Sequence, residues 1–240
     1  GEAFLSLGTS GVLFLANGAY TPNPLGGVHS FCHALPDRWH QMSVILSAAS
    51  CVDWVARLTG VGGAAELFER LEAADRAPAS EYFLPYLSGE RTPHNDPHAK
   101  GVFYGLDHET DGLALGQAVL EGVALAFRDG LDALTDSGAE IDSITVIGGG
   151  ARSAYWGRVL SAALGHPLVY RDGGEVGPAY GAARLAQLAE SGASIDDVCV
   201  APPIAAVIEP DDRLTDHFAQ RIGAFRALYA NLKSQFQEIG

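Results

Sequence analysis

Near the start of the chain, Gly8, Thr9, Ser10 and Gly11 place two hydroxyls and two glycines between the apolar runs Ala3–Leu7 and Val12–Leu15. A tight turn of this kind presents successive backbone N–H groups to an anion without needing a positive side chain. The same residue types fill ordinary hairpin turns, which by itself is the simpler reading. A second small-residue stretch, Gly148-Gly149-Gly150, follows the strand-like "SITVI" and precedes a helix whose N-cap is read as Ser153. Glycines there let a flat group or a phosphate reach the backbone, and the helix N-terminus adds a favourable dipole. A dinucleotide site is the alternative, since Gly148 and Gly150 nearly meet G-x-G-x-x-G and Asp172 follows about 20 residues on. Against it, Ser153 stands where the third glycine belongs, and the strand comes late in the chain instead of opening a βαβ unit. The third turn, Gly101 to Gly105 with Leu106, reads equally as a ligand turn or as a β-strand with weak ends.

Other polar clusters carry less. His94, Asp96 and His98 alternate like metal ligands, but Pro93 and Pro97 make a plain turn an equally good explanation, and a zinc site needs a further strong ligand on an ordered scaffold. His29, Cys32 and His33 read as loop residues, so neither cluster is assigned a metal. Glu90 and Arg91 read as an exposed ion pair worth little, or as helping to seat their loop against a further lobe. Trp39, Trp54 and Trp156 read as core aromatics, with Trp156 one helical turn after Ser153 and placed to buttress the triple-glycine loop.

These residues need a scaffold, and the rest of the sequence supplies one. A chain of 240 residues buries roughly 70–75% of its unfolded surface as a single domain. No apolar stretch reaches the ~18 residues of a membrane span, and no signal-peptide pattern opens the sequence; the chain reads as soluble and cytoplasmic. A net charge of −14, from 15 basic and 29 acidic residues, speaks against nucleic acid, whose binding relies on clustered Lys and Arg. Three cysteines, Cys32, Cys51 and Cys199, lack Cys-x-x-Cys spacing and read as reduced thiols serving as small core residues.

Periodicity then predicts an α/β order. After the opening hairpin come a strand over 38–46, helices over 47–60 and 64–77, and an irregular segment over 82–101, too long for an ordinary connection. A long apolar helix over 112–137 follows, then strand, glycine turn and helix over 143–165, a short strand at "HPLVYRD", and a helix over 175–191. Phe218, Ile222, Phe225, Tyr229, Leu232 and Phe236 form one helical stripe that docks on the core.

In this order and over nearly the whole chain, "SLGTSGVLF", "PYLSGERTPHNDPHAKGVFYGLD", "QAVLEGVA", "GGGARSAYW" and "GPAYGAARLA" resemble the C-terminal lobe of the FGGY carbohydrate kinases. The phrase "SGERTPHNDP" is most similar to the xylulokinase branch. The family's second signature maps onto Gly101, Phe103, Gly105, Leu106, Leu115, Ala118, Val119, Leu120 and Glu121, departing at Ala114, where the family prefers a polar residue. The resemblance implies an actin-like ATPase (ribonuclease H-like) lobe, a mixed β-sheet flanked by helices, occupying 1–240 as one nucleotide-binding domain. It implies that Gly8, Thr9 and Ser10 face the terminal phosphates of ATP, that Gly105 lies near the β-phosphate, and that Gly149, Gly150 and Ala151 carry the adenine. On this account Gly150→Val abolishes nucleotide binding while the fold largely survives.

The same resemblance places the sugar pocket, an Asp-x-Gly-Thr loop for Mg2+-phosphate and a general-base aspartate in the N-terminal lobe. They are expected upstream of Gly1, so no catalytic residue is assigned within this chain, with Asp53, Asp96 and Glu121 the first to inspect if that expectation fails. The implied activity is transfer of the ATP γ-phosphoryl group to D-xylulose, with gluconate, ribulose and glycerol as alternative acceptors and a non-catalytic nucleotide-binding module as the rival class. The implied partners are ATP, Mg2+, a sugar, the N-terminal lobe and, compatibly, a second copy in a homodimer.

Overall fold

The computed structural model describes residues 2–136 and 138–239. The chain opens with β1 (Glu2–Leu7) and β2 (Gly11–Asn17), an antiparallel hairpin in which Leu7 pairs with Gly11. Ala3, Leu5 and Leu7 turn into the core while Phe4 and Ser6 face outward, the period-2 alternation of a half-buried strand. β3 (His29–Cys32) and β4 (Trp39–Ile45) extend the sheet on the β2 side. Helices α1 (Ala49–Leu58) and α2 (Ala64–Ala74) follow, then a two-stranded ribbon of β5 (Tyr82–Leu84) and β6 (Val102–Tyr104).

The long helix α3 (Gly112–Thr135) is buried along most of its length from Gly116 to Leu134. Asp111 caps it by accepting from the Ala114 N–H at 2.8 Å. α3 also packs unusually close to β5: a Cβ on Gly122 would sit 2.2 Å from the Phe83 carbonyl oxygen. Next come β7 (Ile144–Ile147), α4 (Ala154–Leu164) and β8 (Leu168–Arg171), then α5 (Pro178–Ser191), α6 (Ile195–Val198), β9 (Ile204–Ile208) and α7 (Asp212–Ile239).

The main sheet runs β3-β4-β2-β1-β7-β8-β9. β1, β7 and β8 are parallel neighbours and the remaining pairs antiparallel, so the sheet is mixed, with α3 and α4 packed on one another. The C-terminal stripe docks as predicted: Phe218, Phe225, Tyr229 and Phe236 are buried, and Ile222 and Leu232 pack against the core.

Several expectations are corrected. His29 and Cys32 bound a strand instead of lying in a loop, because β4 supplies a complete antiparallel partner from Trp39 to Met42; of the three cysteines Cys51 alone is a core residue, Cys32 being exposed on this outer strand and Cys199 half-buried. The sheet also gains β9, and the helix expected from residue 175 begins at Pro178, after a 3-10 turn at Gly174–Val176. The segment over 82–101 is not loose. Asp96 accepts from the Tyr229 hydroxyl at 2.9 Å, from Gln237 at 3.1 Å and from the His98 N–H at 2.9 Å. Burial opposes ionisation of Asp96, but the Tyr229 hydroxyl and the His98 and Ala99 amides outweigh it and hold its carboxyl below the ordinary range. His94 stacks on Tyr229 with ring centroids 3.6 Å apart and shares a 3.0 Å hydrogen bond with the Tyr86 hydroxyl. Burial, with Lys233 adding to it, pushes His94 down to about 4. Two members of the alternating cluster thus latch the segment onto α7.

Candidate functional site

The hairpin tip owes its position to α1. That helix has no side-chain N-cap, so its first amides need another acceptor. The Thr9 carbonyl provides it, accepting from Ala48 N–H at 2.9 Å, Ser50 N–H at 3.3 Å and the Ser50 hydroxyl at 2.8 Å. The Gly8 carbonyl accepts from Ala49 N–H at 3.0 Å. With both carbonyls turned toward α1, the side chains of Thr9 and Ser10 remain exposed at the sheet's end. The Gly8 N–H is spent within the turn, on the Ser10 carbonyl at 3.2 Å.

The triple-glycine loop lies beside this tip, because β1 and β7 are parallel and in register, Ser6 opposite Ile147. Gly148 has φ +96°, and a Cβ there would stand 2.8 Å from the Leu7 carbonyl oxygen, so only glycine fits. Gly149 to Arg152 then form a 3-10 turn. Ser153 caps α4 as predicted, accepting from Trp156 N–H at 3.2 Å. Trp156 is fully buried and donates through Nε1 to the Leu120 carbonyl at 3.4 Å.

The glycines of this loop differ in direction. A Cβ on Gly149 would meet nothing within 4 Å, whereas one on Gly150 would stand 2.8 Å from both Leu7 Cβ and Trp156 Cζ3. A side chain at Gly150 would therefore enter the core, so Gly150→Val is expected to cost stability as well as any binding at this loop. The loop borders a cleft of about 280 Å³, lined by Val146, Gly148, Ala151, Arg152, Tyr170 and Arg171 among others. Arg152 and Arg171, unremarked in the sequence, bring positive charge to this end of an acidic protein. Only Arg152's place after the glycines signalled it.

Gly105 has φ +88°, and a Cβ there would lie 3.8 Å from Glu81 Cα and 3.9 Å from the Ser80 carbonyl oxygen, on the β5–β6 side of the molecule. The ribbon that carries it is tied to α1 through Trp54, which stacks on Phe83 and Phe103 at 5.6 and 6.0 Å. Of the three carboxylates singled out, Asp96 belongs to the α7 latch, and Glu121 is buried with Oε1 accepting from Ala79 N–H at 2.8 Å and Gln117 at 3.0 Å. Asp53 is exposed on α1.

A family model described as the C-terminal domain of the FGGY family of carbohydrate kinases matches residues 3–190. The chain belongs to the FGGY family. The chain is 50% identical over 232 residues to a xylulose kinase of Escherichia coli K12, covering 96% of this chain and 48% of that protein. Among solved structures, a xylulose kinase from Brucella ovis is similar with a TM-score of 0.92 and 50% identity, over 98% of this chain and 48% of that one. One from Rhodospirillum rubrum gives 0.85 and 28%, over 99% and 48%. The chain thus spans about half the length of the relatives it matches. Its mixed sheet flanked by helices is the actin-like fold of the FGGY C-terminal lobe.

What the residues can do follows from their chemistry. The exposed hydroxyls of Thr9 and Ser10 and the open side of Gly149 suit a phosphate and a flat base at adjacent strand ends. The hairpin tip itself offers hydroxyls and backbone groups but no carboxylate, so it suits the phosphate better than the metal ion. Among the described residues no group of three His, Cys, Asp or Glu side chains is placed to hold a metal, and no helix is long and apolar enough to cross a membrane.

Proposed function

We propose that this chain is the ATP-binding half of a cytoplasmic sugar kinase that transfers the γ-phosphoryl group of ATP to D-xylulose. The observation supporting the nucleotide assignment is the placement of the Thr9 hairpin and the Gly148–Ala151 loop at the same end of adjacent parallel strands. D-xylulose as acceptor rests on the relatives named xylulose kinase. Residues 1–240 are taken as one nucleotide-binding domain, and the acceptor pocket and general-base aspartate as belonging to an N-terminal lobe.

In this reading adenine lies over Gly149, Gly150 and Ala151, and the phosphates run toward Gly8, Thr9, Ser10 and, through the α1-tied ribbon, Gly105. Mg2+ bound to the phosphates would offset their charge. Phosphoryl transfer depends mainly on positioning and electrostatic stabilisation, so the work of this half is orientation. The Thr9 carbonyl fixes the turn on α1, and the Thr9 and Ser10 hydroxyls donate toward the phosphate oxygens. Arg152 and Arg171 attract the polyanion to a protein of net charge −14. The other lobe brings the sugar and closes over it.

A coupled assay on the full protein with D-xylulose, ribulose, gluconate and glycerol tests the acceptor, and activity confined to one of the last three would reassign it. For residues 1–240 alone, calorimetry is expected to give ATP binding with Kd of order 0.1 to several mM, roughly 4–5.5 kcal/mol. Tight NADH binding without ATP binding would replace the kinase reading. A homodimer belongs to the proposal, and sedimentation of the full protein tests it.

A further inference from the structure

Glu90 lies outside the two glycine-bearing loops, yet among the described residues it is one of the few carboxylates taken fully out of water, at 2% exposure. That corrects its reading as half of an exposed pair: Arg91 is exposed, but Glu90 points inward. Its Oε1 accepts from the Leu46 N–H at 2.9 Å and from the Arg91 N–H at 2.7 Å. Its Oε2 is buried and finds no partner among the described residues. Its own backbone pairs with Asp96 in both directions, Glu90 N–H to the Asp96 carbonyl at 2.9 Å and the reverse at 2.8 Å. The carboxyl is therefore held from behind by the segment latched to α7.

What it holds in front is the junction between β4 and α1. Two residues after Leu46, the Ala48 N–H begins the set of donors on the Thr9 carbonyl, continued by Ser50. The next residue of the Glu90 loop, Arg91, is followed by Thr92, whose hydroxyl accepts from Val44 N–H at 2.9 Å and whose N–H donates to the Val44 carbonyl at 2.9 Å. The loop thus grips β4 at Val44 through Thr92 and at Leu46 through Glu90. Only the second grip lies at the strand's exit, where the chain turns into the residues that seat the hairpin.

We propose that Glu90 is a positioning residue for the phosphate-facing hairpin, fixing the β4–α1 junction and through it the location of Thr9 and Ser10. The inference rests on the reading that this hairpin faces phosphate. No other group in the loop reaches the Leu46 amide, so the geometry singles out one carboxyl, and a side chain one methylene shorter would not span the gap.

The test uses the full protein. Residue-resolved hydrogen exchange on the parent should show Leu46, Ala48 and Ser50 opening as one unit; Leu46 opening independently of the other two overturns the proposal. In Glu90→Asp, exchange at Ala48 and Ser50 should accelerate selectively, and kcat should fall about 10- to 100-fold, as for a small displacement of a positioning group, with KM for the sugar unchanged. Glu90→Gln, which keeps an acceptor at full reach, should restore both. A folded Glu90→Asp with parental exchange and kcat overturns the proposal, as does equal impairment of both variants with exchange at Ala48 and Ser50 unmoved. If Glu90→Asp does not fold, the parent exchange pattern decides. Thr9→Val separates the underlying reading: unchanged kinetics there would remove the hairpin from phosphate binding, while exchange would still report whether Glu90 positions it.

Discussion

The two loops at the end of the sheet are held in opposite ways. The Gly8–Ser10 tip hangs on hydrogen bonds from another element, four of them from Ala48, Ala49 and Ser50. The Gly148–Ala151 loop is wedged, its backbone pressed against Leu7 and its floor filled by Trp156. A polar mount can be adjusted by changing a donor, or by changing what holds the donor. A steric mount has no such range, because protein interiors are packed as densely as organic crystals. One loop is therefore sensitive to electrostatics and the other to volume.

The largest expected effect probes the polar mount. Burial raises Glu90 from an ordinary carboxyl value of 4.5 to about 8, so in the folded protein it keeps its proton where the unfolded chain has lost it. Its contribution to stability is complete below the unfolded value, declines as pH rises from there toward 8, and is then constant. Urea titrations from pH 5 to 8 should lose several kcal/mol through this group, and Glu90→Gln should flatten that loss. His94, depressed to about 4, works in the other direction at acid pH and is common to both proteins, so the difference between them isolates Glu90. Parallel pH profiles would mean the carboxyl is solvated.

Gly150→Val comes next. Its Cβ would stand 2.8 Å from Leu7 Cβ and Trp156 Cζ3, and overpacking of this kind costs about 1–3 kcal/mol. Chemical denaturation should show the loss, with nucleotide affinity falling alongside; an unchanged midpoint would mean the loop yields. Gly149→Val sharpens the contrast, since its Cβ meets nothing within 4 Å. Stability should move by under about 0.5 kcal/mol while calorimetry shows weaker ATP binding; undiminished binding would take adenine away from this loop. Ser50→Ala, which removes the 2.8 Å hydroxyl contact to the Thr9 carbonyl but leaves two backbone donors, should cost about 0.5–1.5 kcal/mol in thermal unfolding and change ATP affinity least of these variants.

What was legible in the sequence follows from the range over which each signal acts. The hairpin, α3, α4 and the α7 stripe announce themselves through local alternation, glycines and helical spacing, and the Ser153 cap is where its residue type placed it. β3 carries no local signal, since "HSFC" lacks a β-branched alternating pattern and only pairing with β4 makes it a strand. β9 is a strand by its pairing with β8, with two alanines and nearly every residue exposed. At the site, residue types exposed the two loops but not their mounts. The donor to Thr9 lies 41 residues away and the acceptor for Leu46 lies 44 away. The direction of the Gly150 Cβ was equally hidden, since it depends on where β1 runs past the loop.

The latch between Asp96 and α7 also has a consequence in time. Tyr229 follows Asp96 by 133 residues, an interval of roughly 7 to 27 s at the ribosome's pace of 5–20 residues per second. During synthesis the segment around Asp96 emerges long before the aromatic helix that will cover it. Its carboxylate is meanwhile hydrated, and His94 has no ring to lie against. The β4–α1 junction therefore acquires its rear support only when α7 has left the exit tunnel, so a nascent chain stalled before Tyr229 would carry a folded opening hairpin on an unbraced mount.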